Sequence, residues 1–300
     1  MITQDKFINE VSDKKNRLHR IYVKCLKLII KLIPTDFRRY STSKLRLPYT
    51  FITICNKSSF EMVKASLYSL YKNAKYIPEN ITIISDGSWD IKDGITYFKA
   101  QGLEIQAIDW KICAEYFKES FPSLNIWASK QIWGKKMAAI LYFSEKGPTL
   151  FADPDILWYK TPIERKDIDI LKFKTTIDNS HNYDTQCIED LGLNELYDLP
   201  PINCGVVYIN MRINNLSEET KSIIDYQSKK PGAFAEQTVF ANINKSMKST
   251  WDMNEITSEI YDLLTPFWRP TIHYKNMIAR HYLWRLKWIY WKDYLNIITH

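Results

Sequence analysis

Apolar and polar positions along this chain fall into two kinds of run: short unbroken apolar stretches, and longer stretches with apolar residues at helical spacing. Tyr49–Cys55 (YTFITIC) is rich in β-branched and aromatic residues without alternation, as expected of a strand buried on both faces. Ser58 follows with Glu61 three residues on, the pattern of a capping box, and Val63, Leu67, Leu70 and Ala74 then recur at helical spacing. Ile81–Ser85 (ITIIS) repeats the buried-strand signature before the turn Asp86-Gly87-Ser88. A helix near Ile91–Ala100 and a strand near Leu103–Ile108 continue the alternation. Such strand–helix–strand repetition predicts a parallel sheet wrapped by helices. Helix signals return between Ser129 and Glu145, and Thr149–Ala152 reads as another strand. Past residue 155 the pattern loosens. Strands are expected at Asp169–Phe173 and Cys204–Asn210, a helix capped by Asn215 with Glu218 runs to about Ser228, and 234–243 is helical.

The ends differ from the middle. Leu18–Ile33 (LHRIYVKCLKLIIKLI) carries Arg20, Lys24, Lys27 and Lys31 every three or four positions, so a helix places them along one side. Ile21, Leu28, Leu32 and their neighbours fill the rest, and Pro34 ends the run. Such a helix either docks on the domain core or lies on an anionic bilayer surface. Residues 276–300 are dense in Trp, Tyr and basic side chains. Trp284, Arg285, Lys287, Trp288, Tyr290, Trp291 and Lys292 suit a helix packed on the domain or an interfacial anchor. The expected organisation is a basic amphipathic extension over 1–46, a main domain over 47–275 and an aromatic, basic helix over 276–300.

Composition narrows the chemistry. With 300 residues, 45% hydrophobic, the chain can bury a substantial core, and 25% charged residues is ordinary for a folded domain. Only 8 glycines occur, and there is no dinucleotide fingerprint, Walker loop or HExxH. The 5 cysteines are odd in number, scattered and without CxxC, which argues for free thiols rather than a disulfide framework or zinc knuckle. A net charge of +7 suits an acidic partner. No apolar run long enough to span a bilayer is present, and Asp5, Glu10 and Asp13 interrupt any signal peptide, so a cytoplasmic location is expected.

The sharpest chemical feature is Leu150-Phe151-Ala152-Asp153-Pro154-Asp155-Ile156. An apolar strand runs directly into two carboxylates one residue apart, which an extended chain points to the same side. Pro154 holds Asp153 extended. Ligands of open α/β sheets bind at the carboxyl ends of strands, where this pair sits. Two convergent carboxylates repel unless a cation lies between them, and Mg²⁺ or Mn²⁺ suits oxygen ligands and a diphosphate. A calcium loop would place Glu164 at its twelfth position, but Leu157 and Trp158 stand where a ligand and a glycine are required. Asp167-Ile168-Asp169 precedes its expected strand and reads as surface.

In order as well as motif, the sequence resembles the GT-A glycosyltransferases, the retaining galactosyltransferase-like families with an Asp-x-Asp motif, over roughly 49–275. The resemblance implies an α/β, Rossmann-like, mixed but mainly parallel sheet flanked by helices. By the same resemblance, Thr53, Asn56 and Asp86 contact the nucleotide, and Lys135 or Lys136 of Gly134-Lys135-Lys136-Met137 faces the donor phosphates. Asp153 and Asp155 hold Mn²⁺ or Mg²⁺, with His273 of Ile272-His273-Tyr274 completing the metal shell, ahead of His181 and His281. Asn203 and Gly205, in Asn203–Asn210, line the donor sugar, and Glu236-Gln237 faces the reacting centre. Cys204 departs from the pattern, because a small residue is usual there. Each residue has a plain structural alternative: Thr53 and Asn56 can end a strand, Asp86 can close its own turn, the lysines can be solvated, and Asn203 and Gly205 can shape a turn. The implied reaction moves a sugar from a nucleotide-diphosphate sugar, UDP-sugar favoured, to a hydroxyl of a glycan or lipid-linked acceptor, with an anionic membrane surface and no nucleic acid as further partner expectations. A HAD-like phosphohydrolase and a non-catalytic basic membrane- or nucleic-acid-binding protein are the rivals.

Overall fold

The computed structural model describes residues 20–41, 43–258, 275–283 and 287–300. The unbroken apolar runs become the centre of a seven-stranded sheet. Leu45–Cys55 (β1), Tyr76–Ser85 (β2), Gln106–Asp109 (β3) and Thr149–Ala152 (β4) are joined in parallel, β1 pairing with both β2 and β4. Side chains from β1 feed both faces. Phe51 and Cys55 join one apolar cluster and Ile52 and Ile54 the other, which is why the run does not alternate. Ile202–Ile209 (β7) pairs antiparallel with β4, and Phe173–Ile177 (β6) antiparallel with β7. Thr250–Trp251 (β8) closes the edge, giving the order β3-β2-β1-β4-β7-β6-β8. Ile156–Trp158 (β5), Ile256–Thr257 (β9) and Ala279–His281 (β10) form a second sheet in the order β5-β10-β9.

Helices cover both faces of the large sheet. On one lie the helix over 20–32 (α1), Phe60–Asn73 (α3), Ile91–Ala100 (α4) and Lys287–Thr299 (α12). On the other lie Trp110–Tyr116 (α5), Pro122–Lys130 (α6), Ile132–Lys146 (α7), Thr185–Leu191 (α9), Glu218–Lys229 (α10) and Ala235–Met247 (α11). The short helices Arg38–Ser41 (α2) and Asp167–Ile170 (α8) fill connections.

Several local expectations are corrected. The Ser58–Glu61 capping box does not form: α3 begins at Phe60, the Ser58 hydroxyl donates to Asn56, and Glu61 is taken by the Tyr97 hydroxyl and Lys64. Ser217 rather than Asn215 caps α10, its hydroxyl accepting from the Thr220 amide at 3.1 Å. The segment from Asp169 is helical before its strand starts at Phe173, because Asp167 accepts from the Glu164 amide and opens a turn. Helices α5 and α6 lie where no helix was expected.

The aromatic C-terminus packs inward. Trp288, Tyr290, Trp291 and Tyr294 are buried, and the Tyr290 hydroxyl donates to the Met62 carbonyl at 2.7 Å. Trp284 and Arg285 lie outside the described residues, as does the Lys287 side chain. Among the described residues, no helix is long and apolar enough to cross a membrane.

Candidate active site

β4 delivers Asp153 to the edge of the sheet where the parallel strands end. The Asp153 amide donates to the Gly205 carbonyl at 2.8 Å, extending the β4–β7 pairing by one residue into the Asp-Pro-Asp turn. Two residues on, β5 begins, and the Asp155 carbonyl accepts from the Tyr282 amide at 3.0 Å. The small sheet thereby ties Asp155 to β10, whose last residue is His281.

His281, Asp153 and Asp155 each present a ligand atom, and these atoms lie within 4.8 Å of one another. His281 Nε2 is 3.3 Å from Asp155 Oδ1 and 3.8 Å from Asp153 Oδ2. The other ring nitrogen is held from behind: His281 Nδ1 lies 3.2 Å from Asn203 Oδ1. Asn203 uses its amide nitrogen to donate to Asp178 Oδ2 at 3.1 Å, so the oxygen faces the ring and Nδ1 carries the hydrogen. The outward Nε2 is thus left for a ligand role, as carbonyl- or carboxylate-backed histidines do in metal sites. Two carboxylates and one imidazole at this spacing fit a divalent cation.

Gly205 explains how the ring fits. A Cβ at that position would stand 2.3 Å from His281 Cε1 and 2.4 Å from Nδ1. The glycine in β7 therefore makes room for the imidazole to lie against the strand. The segment expected to line a sugar also builds the histidine's seat.

Charges around the pair are arranged tightly. Lys136 Nζ lies 3.2 Å from Asp153 Oδ1 and 3.8 Å from Glu236 Oε1, with the Cys204 sulfur at 3.5 Å. Burial alone would push the lysine pKa down, but Asp153 and Glu236 outweigh it, and the ammonium is held charged. Burial raises the carboxyls of Asp153 and Glu236 above their ordinary range, although Lys136 opposes it in both. Burial lowers the His281 pKa, but Asp155 and Asp153 more than reverse this and hold it above the ordinary histidine value. Burial, then Glu236, keeps Cys204 a neutral thiol. Glu236 Oε2 is buried with no hydrogen-bond partner among the described residues.

These groups surround a cavity of about 260 Å³. Asp153, Pro154, Lys136 and Glu236 line one part, and Ile54, Cys55, Asn56, Ser59 and Asp86 another. Ile132 and Trp133, in the first turn of α7, complete it. Nothing in the sequence singled them out, since an aromatic at helical spacing reads as core.

The remaining candidates divide. Asn56 and Asp86 reach the cavity while also closing local turns: Asn56 Oδ1 accepts from the Ser58 and Ser59 hydroxyls, and Asp86 Oδ1 from the Ser88 amide. Thr53 lies within β1, 2% exposed, outside the cavity lining. Lys135 turns away from Lys136, donating to the Asp86 carbonyl at 2.7 Å with its ammonium 4.4 Å over the Trp110 ring. Gln237 donates to the Ile202 carbonyl at 2.9 Å and does not line the cavity. His273 lies outside the described residues. His181 is bonded to the Leu199 carbonyl, away from the carboxylate pair. Asp167 and Asp169 sit on α8, apart from this site.

No protein-family model matches the sequence, and no curated protein matches it. Solved structures do. Mouse xyloside xylosyltransferase 1 superposes with a TM-score of 0.52 at 15% identity, covering 79% of this chain and 97% of its own. The galactosyltransferase LgtC, solved with donor and acceptor sugar analogues, gives 0.51 at 14% identity over 83% of this chain and 95% of its own. The bifunctional glycosyltransferase WbbM gives 0.54 at 11% identity, covering 84% of this chain and 50% of its own. With the mixed seven-stranded sheet and the Asp-x-Asp turn at its carboxyl edge, these likenesses establish that the chain has the GT-A glycosyltransferase fold.

Proposed function

We propose that the protein is a metal-dependent glycosyltransferase that moves a sugar from a nucleotide-diphosphate sugar, preferably a UDP-sugar, to a hydroxyl acceptor. The observation that carries this reading is the convergence of Asp153, Asp155 and His281 beside a cavity at the carboxyl ends of parallel strands. Asp153, Asp155 and His281 would hold Mn²⁺ or Mg²⁺, which when bound neutralises the diphosphate as a leaving group. The Lys136 ammonium, already charged and fixed against Asp153, adds a second positive centre for the departing phosphates. Asp86 and Asn56, at the cavity's other end, offer acceptors for base or ribose hydroxyls. Glu236 lines the cavity with one carboxyl oxygen unpartnered among the described residues, and would face the sugar.

Retention of configuration suits this site better than inversion. An inverting enzyme needs an ionised carboxylate base open to the acceptor. Glu236 is buried, held above the ordinary carboxylate range by that burial, and engaged by the Cys204 thiol and Lys136. Gln237, next to Glu236 on α11, donates to the Ile202 carbonyl. Acceptors of this reading are a glycan or lipid-linked hydroxyl in surface glycan or glycolipid synthesis, and its location is cytoplasmic.

The experiment is a thermal-shift panel of UDP- and GDP-sugars with and without Mn²⁺. A nucleotide sugar at about a hundredfold excess over its Kd stabilises by roughly 2.7 kcal/mol, a shift of several degrees. One nucleotide sugar should stabilise the wild type only with Mn²⁺, and Asp155→Asn should erase the shift. Stabilisation by none of them, with hydrolysis of a simple phosphate monoester instead, would replace this reading with a phosphohydrolase.

A further inference from the structure

We propose that the outward face of α1 docks the protein on an anionic lipid surface. This proposal stands apart from the transferase reading and survives its failure. Helix α1 has two apolar faces, not one. Leu26 and Ile30 are buried with Tyr22 packed beside them, and Tyr22 meets Trp288 of α12 edge to face. That face fixes the helix to the domain. On the opposite side Ile21 is 53% exposed, Leu28 63%, Ile29 47% and Leu32 83%. With Cys25, which is also exposed, these residues fall within an arc of about 100° on a regular helix. Arg20, Lys24, Lys27 and Lys31 occupy the flank between the two apolar faces. An apolar arc bordered by basic residues, on a helix whose described residues are too few and too charged to span a bilayer, is the pattern of an interfacial helix.

Charge complementarity selects the occupant. A second copy of this chain, meeting the arc across a two-fold axis, would bring one basic flank against another. A nucleic acid would use the basic flank and leave Leu28 and Leu32 in water. An anionic bilayer takes up both halves, the apolar arc among acyl chains and the flank among headgroups. The aromatic C-terminus does not compete for this role, since Trp288, Trp291 and Tyr294 are turned into the core. Lys31 interacts electrostatically with Glu61 in the first turn of α3.

Cys25 supplies the test, because it is exposed while Cys55, Cys113, Cys187 and Cys204 are buried. The full chain carrying an environment-sensitive fluorophore on Cys25 is titrated with vesicles of phosphatidylcholine alone, and of phosphatidylcholine mixed with phosphatidylglycerol. Vesicle co-sedimentation of unlabelled protein is measured alongside. The expected result is a blue shift and co-sedimentation with anionic vesicles. Partitioning should fall at least about tenfold in Leu28→Glu/Leu32→Glu and in Arg20→Glu/Lys24→Glu. Both pairs are exposed, so circular dichroism and melting should match the wild type. Equal partitioning of wild type and both variants would overturn the proposal. So would a dimer in sedimentation that Leu28→Glu/Leu32→Glu dissolves, or binding to DNA with no response to anionic vesicles.

Discussion

Replacing Gly205 by alanine tests whether the histidine's seat is what the structure says it is. The backbone at Gly205 has no positive φ, so alanine meets no conformational penalty there and, in a strand, would ordinarily be neutral or better. The cost comes from contact. The new Cβ would lie 2.3 Å from His281 Cε1, against 3.4 Å for the start of ordinary contact, so the ring must retreat by about 1.1 Å. It cannot retreat and keep its 3.2 Å bond to Asn203 together with its place beside Asp155. Overpacking of this kind costs about 1–3 kcal/mol. A displaced ligand should also weaken Mn²⁺ binding by roughly ten- to a hundredfold. Urea unfolding of four proteins, wild type, Gly205→Ala, His281→Ala and the double variant, isolates the contact. Gly205→Ala should destabilise by about 1–3 kcal/mol with His281 present and by well under half of that without it. A small residue remains from the 3.0 Å approach to Asn203 Oδ1. Equal destabilisation in both backgrounds would refute the reasoning, because the glycine would then serve something other than the ring.

Two further outcomes follow from the same geometry. Lys135→Ala should release the Asp86–Gly87 turn and raise the KM for a nucleotide sugar by roughly five- to thirtyfold, corresponding to about 1–2 kcal/mol, with kcat little changed; a fall in kcat at constant KM would instead put Lys135 on the phosphates. Burial pushes the Cys55, Cys113 and Cys187 thiols up to about 12, so all three stay protonated at pH 8. A colourimetric thiol reagent should then react rapidly with Cys25 in the native protein and with all 5 cysteines after denaturation; fast native labelling in Cys25→Ser would contradict the burial of the others.

What the sequence made legible was local. Thr149–Ala152 and the acids after it declare themselves because a strand, a proline and two carboxylates are contiguous, and burial at a sheet edge follows from that pattern. The helices α5 and α6 carry short signals, Asp109 capping the Lys111 amide and Pro122 at a first helical position, without the long apolar periodicity that marks α3 and α7. The histidine was a different problem. Only β10–β5 pairing brings His281 beside Asp155, and no nearby motif marks a three-residue strand. Asn203 and Gly205 stood out as a motif, but their partner is remote in sequence, so a sugar contact and a histidine seat looked alike. Lys135 and Lys136 are adjacent on one helix, and only packing shows that one meets Asp153 and the other the Asp86 turn. The Leu28 face of α1 could be read from spacing, but which apolar face would dock could not.

A cation held by Asp153, Asp155 and His281 is central to the proposed transfer, and one measurement addresses it directly. Release of nucleotide diphosphate from the best-stabilising nucleotide sugar is followed in wild type, His281→Ala and His273→Ala, with Mn²⁺ titrated into chelator-treated protein. Mn²⁺-dependent release is expected in the wild type and in His273→Ala, and its loss in His281→Ala. Release that persists in His281→Ala, or that proceeds in the chelator-treated protein without added metal, would contradict it.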